Sequence, residues 1–257
     1  MDRCRSREEG AAVQRYFLTH LEEMRGTLSK DDEKHVARVM RMEEGDAVIA
    51  VYDSISYDGI VRYEEKTPYI ECQKERDEQP ELPVRIGIVS GLAKGKKPEW
   101  IVQKGTELGM HAFYATPMKR SVVKWDEKKR KKNIERLETI AKEAAEQSHR
   151  LQVPAISALS EWQALEQIAK EYDHLFFAYE VEANKKGYQT IADQFQNVYH
   201  GNSILFVFGP EGGIAEEEAE WLRERDFQPV ALGPRILRTE TAPLYVLSAV
   251  SYEFERK

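Results

Sequence analysis

Long apolar runs are missing from this chain. No stretch approaches the roughly 20 consecutive apolar residues that cross a bilayer, and the first ten residues, MDRCRSREEG, are charged, so they do not read as a secretory signal. Cysteine is nearly absent: Cys4 and Cys72 form neither a disulfide framework nor a metal-ligand spacing. His111, His149, His174 and His200 show no H-x-x-x-H pattern, so no metal site is expected. Both phosphate fingerprints are missing too, since no glycine loop ends in Gly-Lys-Ser/Thr and no G-x-G-x-x-G follows a strand. With 32% charged and 41% apolar residues, the composition is that of an ordinary water-soluble globular protein, for which the cytoplasm is the expected compartment.

The net charge of −7 argues against a nucleic-acid partner until its distribution is read. Residues 1–84 carry 13 Lys+Arg against 20 Asp+Glu, residues 85–150 carry 16 against 8, and residues 151–257 carry 9 against 17. One basic band in an acidic protein suits a polyanion held in one place. The plainer alternative is that Lys128 to Lys132 only begin a solvated helix.

The chain of 257 residues divides at Gln79-Pro80-Glu81-Leu82-Pro83, a polar stretch twice interrupted by proline. Before it lies a small β-rich module with a short helix capped by Ser29 over Asp31–Met40, a strand over Ala47–Tyr52, and a hairpin signal at Asp58-Gly59 leading into Ile60–Glu64. Residues 1–13 have no periodicity and read as an extension. From Val84 onward strands and helices alternate: strands over Val84–Ser90, Ala112–Thr116, Leu175–Tyr179, Ile204–Phe208 and Pro229–Leu232, helices over Pro98–Leu108, Lys128–His149, Trp162–Tyr172, Glu216–Arg225 and Pro243–Glu255. That alternation predicts an α/β fold with a parallel sheet covered on both faces.

The chemistry is expected in two stretches. Ile204 to Phe208 is a continuous apolar run, as in a strand buried on both faces, and runs into Gly209-Pro210-Glu211-Gly212-Gly213. Glu211, Glu216, Glu217 and Glu218 then crowd the helix start where an anion would sit, so a neutral or cationic ligand fits better than a triphosphate. The second stretch is Leu232-Gly233-Pro234-Arg235-Ile236-Leu237-Arg238-Thr239-Glu240-Thr241-Ala242-Pro243.

G-P-E-G-G after a buried strand and L-G-P-R-I-L-R-x-E-T-A-P-L together resemble the RsmE family of SPOUT methyltransferases. Gln103 to Gly109, Arg120 to Lys124 and Ala141 to Ser148 are similar to that family as well, and the likeness covers roughly residues 14 to 255. The resemblance implies a PUA-like RNA-binding β-barrel over 14–78, a linker over 79–83, and a SPOUT domain over 84–257 with a C-terminal trefoil knot. It implies S-adenosylmethionine-dependent methylation of uracil N3 in small-subunit (16S) ribosomal RNA by a homodimer. The assembled small ribosomal subunit is the expected setting, without metal or membrane. Cofactor residues carried over are Tyr179, Glu180, Phe208, Gly209, Pro210, Glu211, Gly212, Gly213, Leu232, Gly233, Ile236, Leu237, Arg238, Thr241 and Ala242.

Uracil N3 must lose a proton before it attacks. Glu240 is the expected base, with a helix-start carboxylate as its plainer role, and Arg238 the group for a phosphate or a uracil oxygen, with a structural ion pair as its own. The expected RNA contacts are His35, Arg38, Arg41, Lys94, Lys96, Lys97, Lys104, Arg120, Lys124 and Arg150. The competing readings are a non-catalytic RNA-binding or ribosome-assembly protein on the same fold, and a phosphate-nucleotide enzyme. The helix of residues 243–255 carries Leu247, Val250 and Phe254 on one side with Tyr245 and Tyr252 on others, which fits a subunit interface if that side is not covered by the chain itself.

Overall fold

The structure is a computed structural model that describes residues 13–179 and 190–255. The extension expected over residues 1–13 and the cofactor candidate Glu180 thus fall, Val13 apart, outside the described residues. The chain divides into two compact units between Pro80 and Glu81.

The first unit holds β1 (Arg15–Phe17), β2 (His20–Glu22), β3 (Arg25–Thr27), the short α1 (Lys30–Lys34), β4 (Ala47–Tyr52), β5 (Ile55–Glu64) and β6 (Thr67–Glu75). They form one sheet in the order β1-β4-β5-β6-β3-β2, antiparallel except where β1 lies parallel to β4. Its core is Tyr16, Val36, Val48, Ala50, Val61 and Ile70. Ser29 caps α1 as its position predicts, accepting from the Asp32 amide at 3.2 Å. The helix does not run on to Met40, however, because the chain widens into a π-helical turn over His35–Val39. The hairpin expected at Asp58-Gly59 is also displaced. The turn sits at Asp53 and Ser54, whose φ of 48° and 63° supply the left-handed pair that a two-residue hairpin needs. Asp58-Gly59 lies inside β5, at an irregularity in its pairing with β6. There a Cβ on Gly59 would stand 2.6 Å from Ile70 Cγ2, so the glycine serves packing.

The second unit alternates as expected: β7 (Arg85–Gly91), α2 (Lys97–Glu107), β8 (Ala112–Thr116), α3 (Glu127–Gln147), β9 (Ala155–Ala158), α4 (Leu165–Ala169), β10 (His174–Ala178), α5 (Ile191–Phe195), β11 (Ser203–Phe208), α6 (Glu216–Arg223), β12 (Gln228–Val230) and α7 (Thr241–Phe254). All six strands are parallel, in the order β12-β10-β11-β7-β8-β9. Every residue of β11 is buried, which is why its sequence is continuous rather than alternating. Ile86, Ile88, Ile204 and Phe206 pack toward α2, α3 and α7 on one face. Val89, Leu205, Val207 and Phe177 pack toward α4 and α6 on the other.

Two helix expectations are corrected here. The single helix read over Trp162–Tyr172 is a 3₁₀ turn (Trp162–Ala164) followed by the short α4. β1 and β9, at three and four residues, left no signal in the sequence. Leu247, Val250 and Phe254 of α7 are buried within their own chain, so they form no outward stripe; Tyr245 and Tyr252 remain exposed. Nor is the stretch over 79–83 slack. Glu81 accepts hydrogen bonds from Arg150 Nη2 at 2.5 Å and from the Leu151 and Gln152 amides at 2.9 and 3.2 Å, anchoring it in the second unit.

Candidate active site

Parallel sheets place ligands outside the carboxyl ends of their strands. Here the chain leaving β10, β11 and β12 encloses a cavity of about 870 Å³. Tyr179, Phe208, Gly209, Pro210, Glu211, Gly212, Gly213, Leu232, Gly233, Ile236, Leu237, Arg238 and Ala242 all line it, as do Lys97 at the start of α2 and Arg120 from the loop after β8. Of the described cofactor candidates only Thr241 is outside the lining; it is exposed at the start of α7.

The glycine turn is tight for reasons internal to the fold. A Cβ on Gly209 would stand 2.6 Å from the Gly213 carbonyl carbon, and one on Gly212 would meet Arg120 Cβ at 2.9 Å. Gly213 takes a φ of +73°. Gly91, which carries no motif signal, is required as well, since its Cβ would lie 2.5 Å from Pro210 Cδ. In the second loop the situation reverses. Gly233 has a φ of +104° and no atom within 4 Å of its Cβ position, so its open side faces space.

Side chains from two earlier loops brace the turn. Glu211 Oε1 accepts from the Lys94 amide and from Lys97 Nζ, each at 2.9 Å. Burial raises the Glu211 pKa, but the Lys97 ammonium and the Lys94 amide outweigh it and hold the carboxyl below its usual range. Arg120 Nη1 donates to the Gly212 carbonyl at 3.0 Å and the Ile214 carbonyl at 3.3 Å. Glu218, buried at the start of α6, takes the Lys119 amide at 2.7 Å and the Ala215 amide at 2.9 Å. Lys119 Nζ pairs with Glu217. Tyr179 donates to Glu216 Oε2 at 2.6 Å, and burial together with that carboxylate pushes the phenol up to about 12. The glutamates expected to repel an anion are thus each engaged by neighbours. Lys119 and the bracing role of Glu218 were missed, although a glutamate three positions past Ala215 is a capping signal.

The two residues expected to carry chemistry are placed differently. Arg238 is 83% exposed in its side chain and lines the cavity, with Nη1 at 4.0 Å from Glu240 Oε1. Glu240 does not line the cavity. Its Oε2 is buried, accepts no hydrogen bond, and lies 3.7 Å from Lys97 Nζ; nor does its side chain cap α7. Lys97 is therefore paired with two carboxylates, Glu211 and Glu240.

The expected RNA contacts divide in the same way. Lys94, Lys96 and Lys124 are exposed and enter no ion pair among the described residues. Lys97 and Arg120 belong to the cavity, and Lys104 is paired with Glu107 at 2.7 Å. Arg150 is no surface cation. It is 3% exposed and, besides Glu81, holds the Met110 carbonyl at 2.7 Å and the Thr106 carbonyl at 3.2 Å. In the first unit His35 shares a hydrogen bond with the Tyr16 hydroxyl at 3.0 Å, while Arg38 and Arg41 are exposed. No group of three or more His, Cys, Asp or Glu suited to a metal occurs among the described residues, and no helix there is long and apolar enough to cross a membrane.

Residues 80–251 match a family model described as an RNA methyltransferase domain. The chain is 44% identical over 257 residues to a ribosomal RNA small subunit methyltransferase E of Bacillus subtilis, covering 95% of this chain and 98% of that one. A protein of the same name from Aquifex aeolicus is 29% identical, over 88% and 95% of the two chains. The crystal structure of one from Neisseria gonorrhoeae, bound to S-adenosyl methionine, superposes with a TM-score of 0.80 at 26% identity, covering 94% of this chain and 98% of that one.

Proposed function

Since the chain belongs to the RNA methyltransferase domain family, we propose that it transfers the methyl group of S-adenosylmethionine to N3 of one uracil in small-subunit (16S) ribosomal RNA. The observation that carries this reading is the cavity at the carboxyl ends of β10, β11 and β12. Its volume falls within the roughly 300–1,000 Å³ of small-molecule sites. Its lining suits a zwitterionic cofactor. Ala178, Phe208, Leu232, Leu237 and Ala242 offer apolar surface to an adenosine, and the lining carries both carboxylates, Glu211 and Glu216, and cations, Lys97, Arg120, Arg235 and Arg238. Gly233, with its open Cβ side, lets backbone approach the ligand closely.

When bound, S-adenosylmethionine supplies a methyl group on a sulfonium, whose departure needs no acid. The protein's part is chiefly alignment, which contributes about 7–11 kcal/mol in well-oriented systems. Glu240 neighbours the cavity through its ion pairs with the lining residues Lys97 and Arg238, and Arg238 is exposed there, where a guanidinium fork fits a phosphate or a uracil oxygen.

The first unit, residues 14–78, is proposed to be a PUA-like barrel that presents RNA. The second, residues 84–257, is proposed to be a SPOUT domain whose C-terminal segment forms a trefoil knot, joining the loops after β10, β11 and β12 around one cofactor. A homodimer fits the exposed aromatics: α2 and α7 pack together and leave Trp100, Tyr245 and Tyr252 outside. The setting is proposed to be the assembled small subunit in the cytoplasm. Calorimetry with S-adenosylmethionine should show saturable binding that ATP does not match. Mass spectrometry of the RNA from small ribosomal subunits incubated with the protein should show one N3-methyluridine. Methylation at another atom, or none, would refute the assignment, and sedimentation tests the dimer.

A further inference from the structure

Removing the N3 proton from uracil leaves negative charge spread over N3 and the two flanking carbonyl oxygens. A site can favour that change by offering a base or by offering a cation. Among the described residues lining the cavity, the carboxylates are poorly placed to act as a base. Glu211 is held by Lys97 and the Lys94 amide, and Glu216 by the Tyr179 hydroxyl. Glu240, behind Lys97, is not in the lining at all. The cations are better placed, and they differ in preorganisation. Arg238 is almost fully exposed and its closest carboxylate is 4.0 Å away. Lys97 is fixed between Glu211 at 2.9 Å and Glu240 at 3.7 Å, with under a third of its side chain exposed. An ammonium has three donors, and Glu211 takes one. Glu240 Oε2 sits beyond hydrogen-bond distance.

We infer that Lys97 is a catalytic residue: its ammonium donates to a carbonyl oxygen of the target uracil and stabilises the imide anion, while Glu211 and Glu240 position it. The inference rests on the N3-methylation reading. In the step itself the N3–H bond breaks and its proton passes to water. The pair left on N3 attacks the methyl carbon, and the carbon–sulfur bond breaks with its electrons staying on sulfur. The ammonium does not turn over. A fixed donor aimed at charge that develops only during reaction acts on kcat rather than on binding.

The test compares Lys97→Gln, Lys97→Arg and Glu240→Gln with the unaltered protein on small ribosomal subunits reconstituted around RNA transcribed with uridine or with 5-fluorouridine. Fluorine at C5 acidifies N3, so it replaces part of what the ammonium supplies. Lys97→Gln should lower kcat about 10²- to 10³-fold, as loss of one oxyanion donor does. Its KM for RNA and its calorimetric affinity for S-adenosylmethionine should stay within a few-fold, and the kcat deficit should shrink at least tenfold on the fluorinated RNA. Lys97→Arg should recover part of the loss, and Glu240→Gln should lose less than Lys97→Gln. A deficit of equal size on both RNAs, a loss confined to KM or to cofactor affinity, or a larger loss in Glu240→Gln would overturn the inference. Mass spectrometry of the product made by the unaltered protein separates failures: methylation away from N3 sinks the underlying reading, whereas N3-methyluridine with an unimpaired Lys97→Gln sinks only this one.

Discussion

Arg150→Met removes the cation that holds Glu81, and its cost follows from geometry. The guanidinium is almost completely buried and donates to Glu81 through Nε at 3.1 Å and Nη2 at 2.5 Å, and to two backbone carbonyls through Nη1. Methionine fills similar volume but donates nothing, so the Met110 carbonyl loses its 2.7 Å partner and Glu81 its counter-charge. Breaking a buried pair from one side costs about 3–5 kcal/mol. The lower end applies here, because Glu81 is a quarter exposed and keeps the Leu151 and Gln152 amides. For a unit of this size about 3 kcal/mol lowers the thermal midpoint by roughly 6–12 °C. Circular dichroism of the full chain measures it. Arg150→Lys should fall between the two, since it keeps the charge and loses the fork. RNA affinity and its salt dependence, measured well below the midpoint, should not change. An unaltered midpoint together with weakened RNA binding would refute this reasoning and return Arg150 to the RNA surface.

Charge reversal at Lys96 and Lys124 should flatten the salt dependence of RNA binding by about 0.7–0.9 in slope for each phosphate no longer neutralised, whereas reversal at Lys170 should not; equal slopes in filter binding would remove these residues from the interface. In the first unit, burial raises the Glu78 pKa but hydrogen bonds from Arg15, Arg76 and Ser56 outweigh it, carrying the carboxyl from 4.5 down to about 2. A depressed folded-state pKa means stability that is present above pH 4.5 and lost as pH falls toward 2. Urea midpoints for that unit should drop across this window, and Glu78→Gln should flatten the drop; parallel curves would remove Glu78 as the cause.

Local pattern was readable wherever one physical rule dominates. β11 declared itself because a strand buried on both faces has no polar residue to spare, and α1 because Ser29 meets the Asp32 amide. Asp58-Gly59 misled because glycine answers two needs, a left-handed turn and a lack of Cβ, and here it answers the second against Ile70. Counting charges located the basic band but not which cations the fold consumes. Arg150 meets Glu81 from 69 positions away, and Lys97 meets Glu211 from 114. Spacing along the chain carries no trace of either pairing. For the same reason the ion pair of Lys97 with Glu240, 143 positions on, was not legible either.

The central strand of the second sheet has a consequence for synthesis of the protein. β7 is flanked by β8 and β11, and its register with β11 joins Arg85 to Ser203. At about 5–20 residues per second, a ribosome takes about 6–24 s to make the roughly 120 residues between them. During that interval Ile86, Ile88 and Val89 have one neighbouring strand instead of two, an open apolar edge of the kind that chaperones cover. Pairings this distant in sequence also make refolding slow. Emerging chains should therefore associate with a holdase chiefly after β7 has left the exit tunnel, and should release it once β11 has left it too.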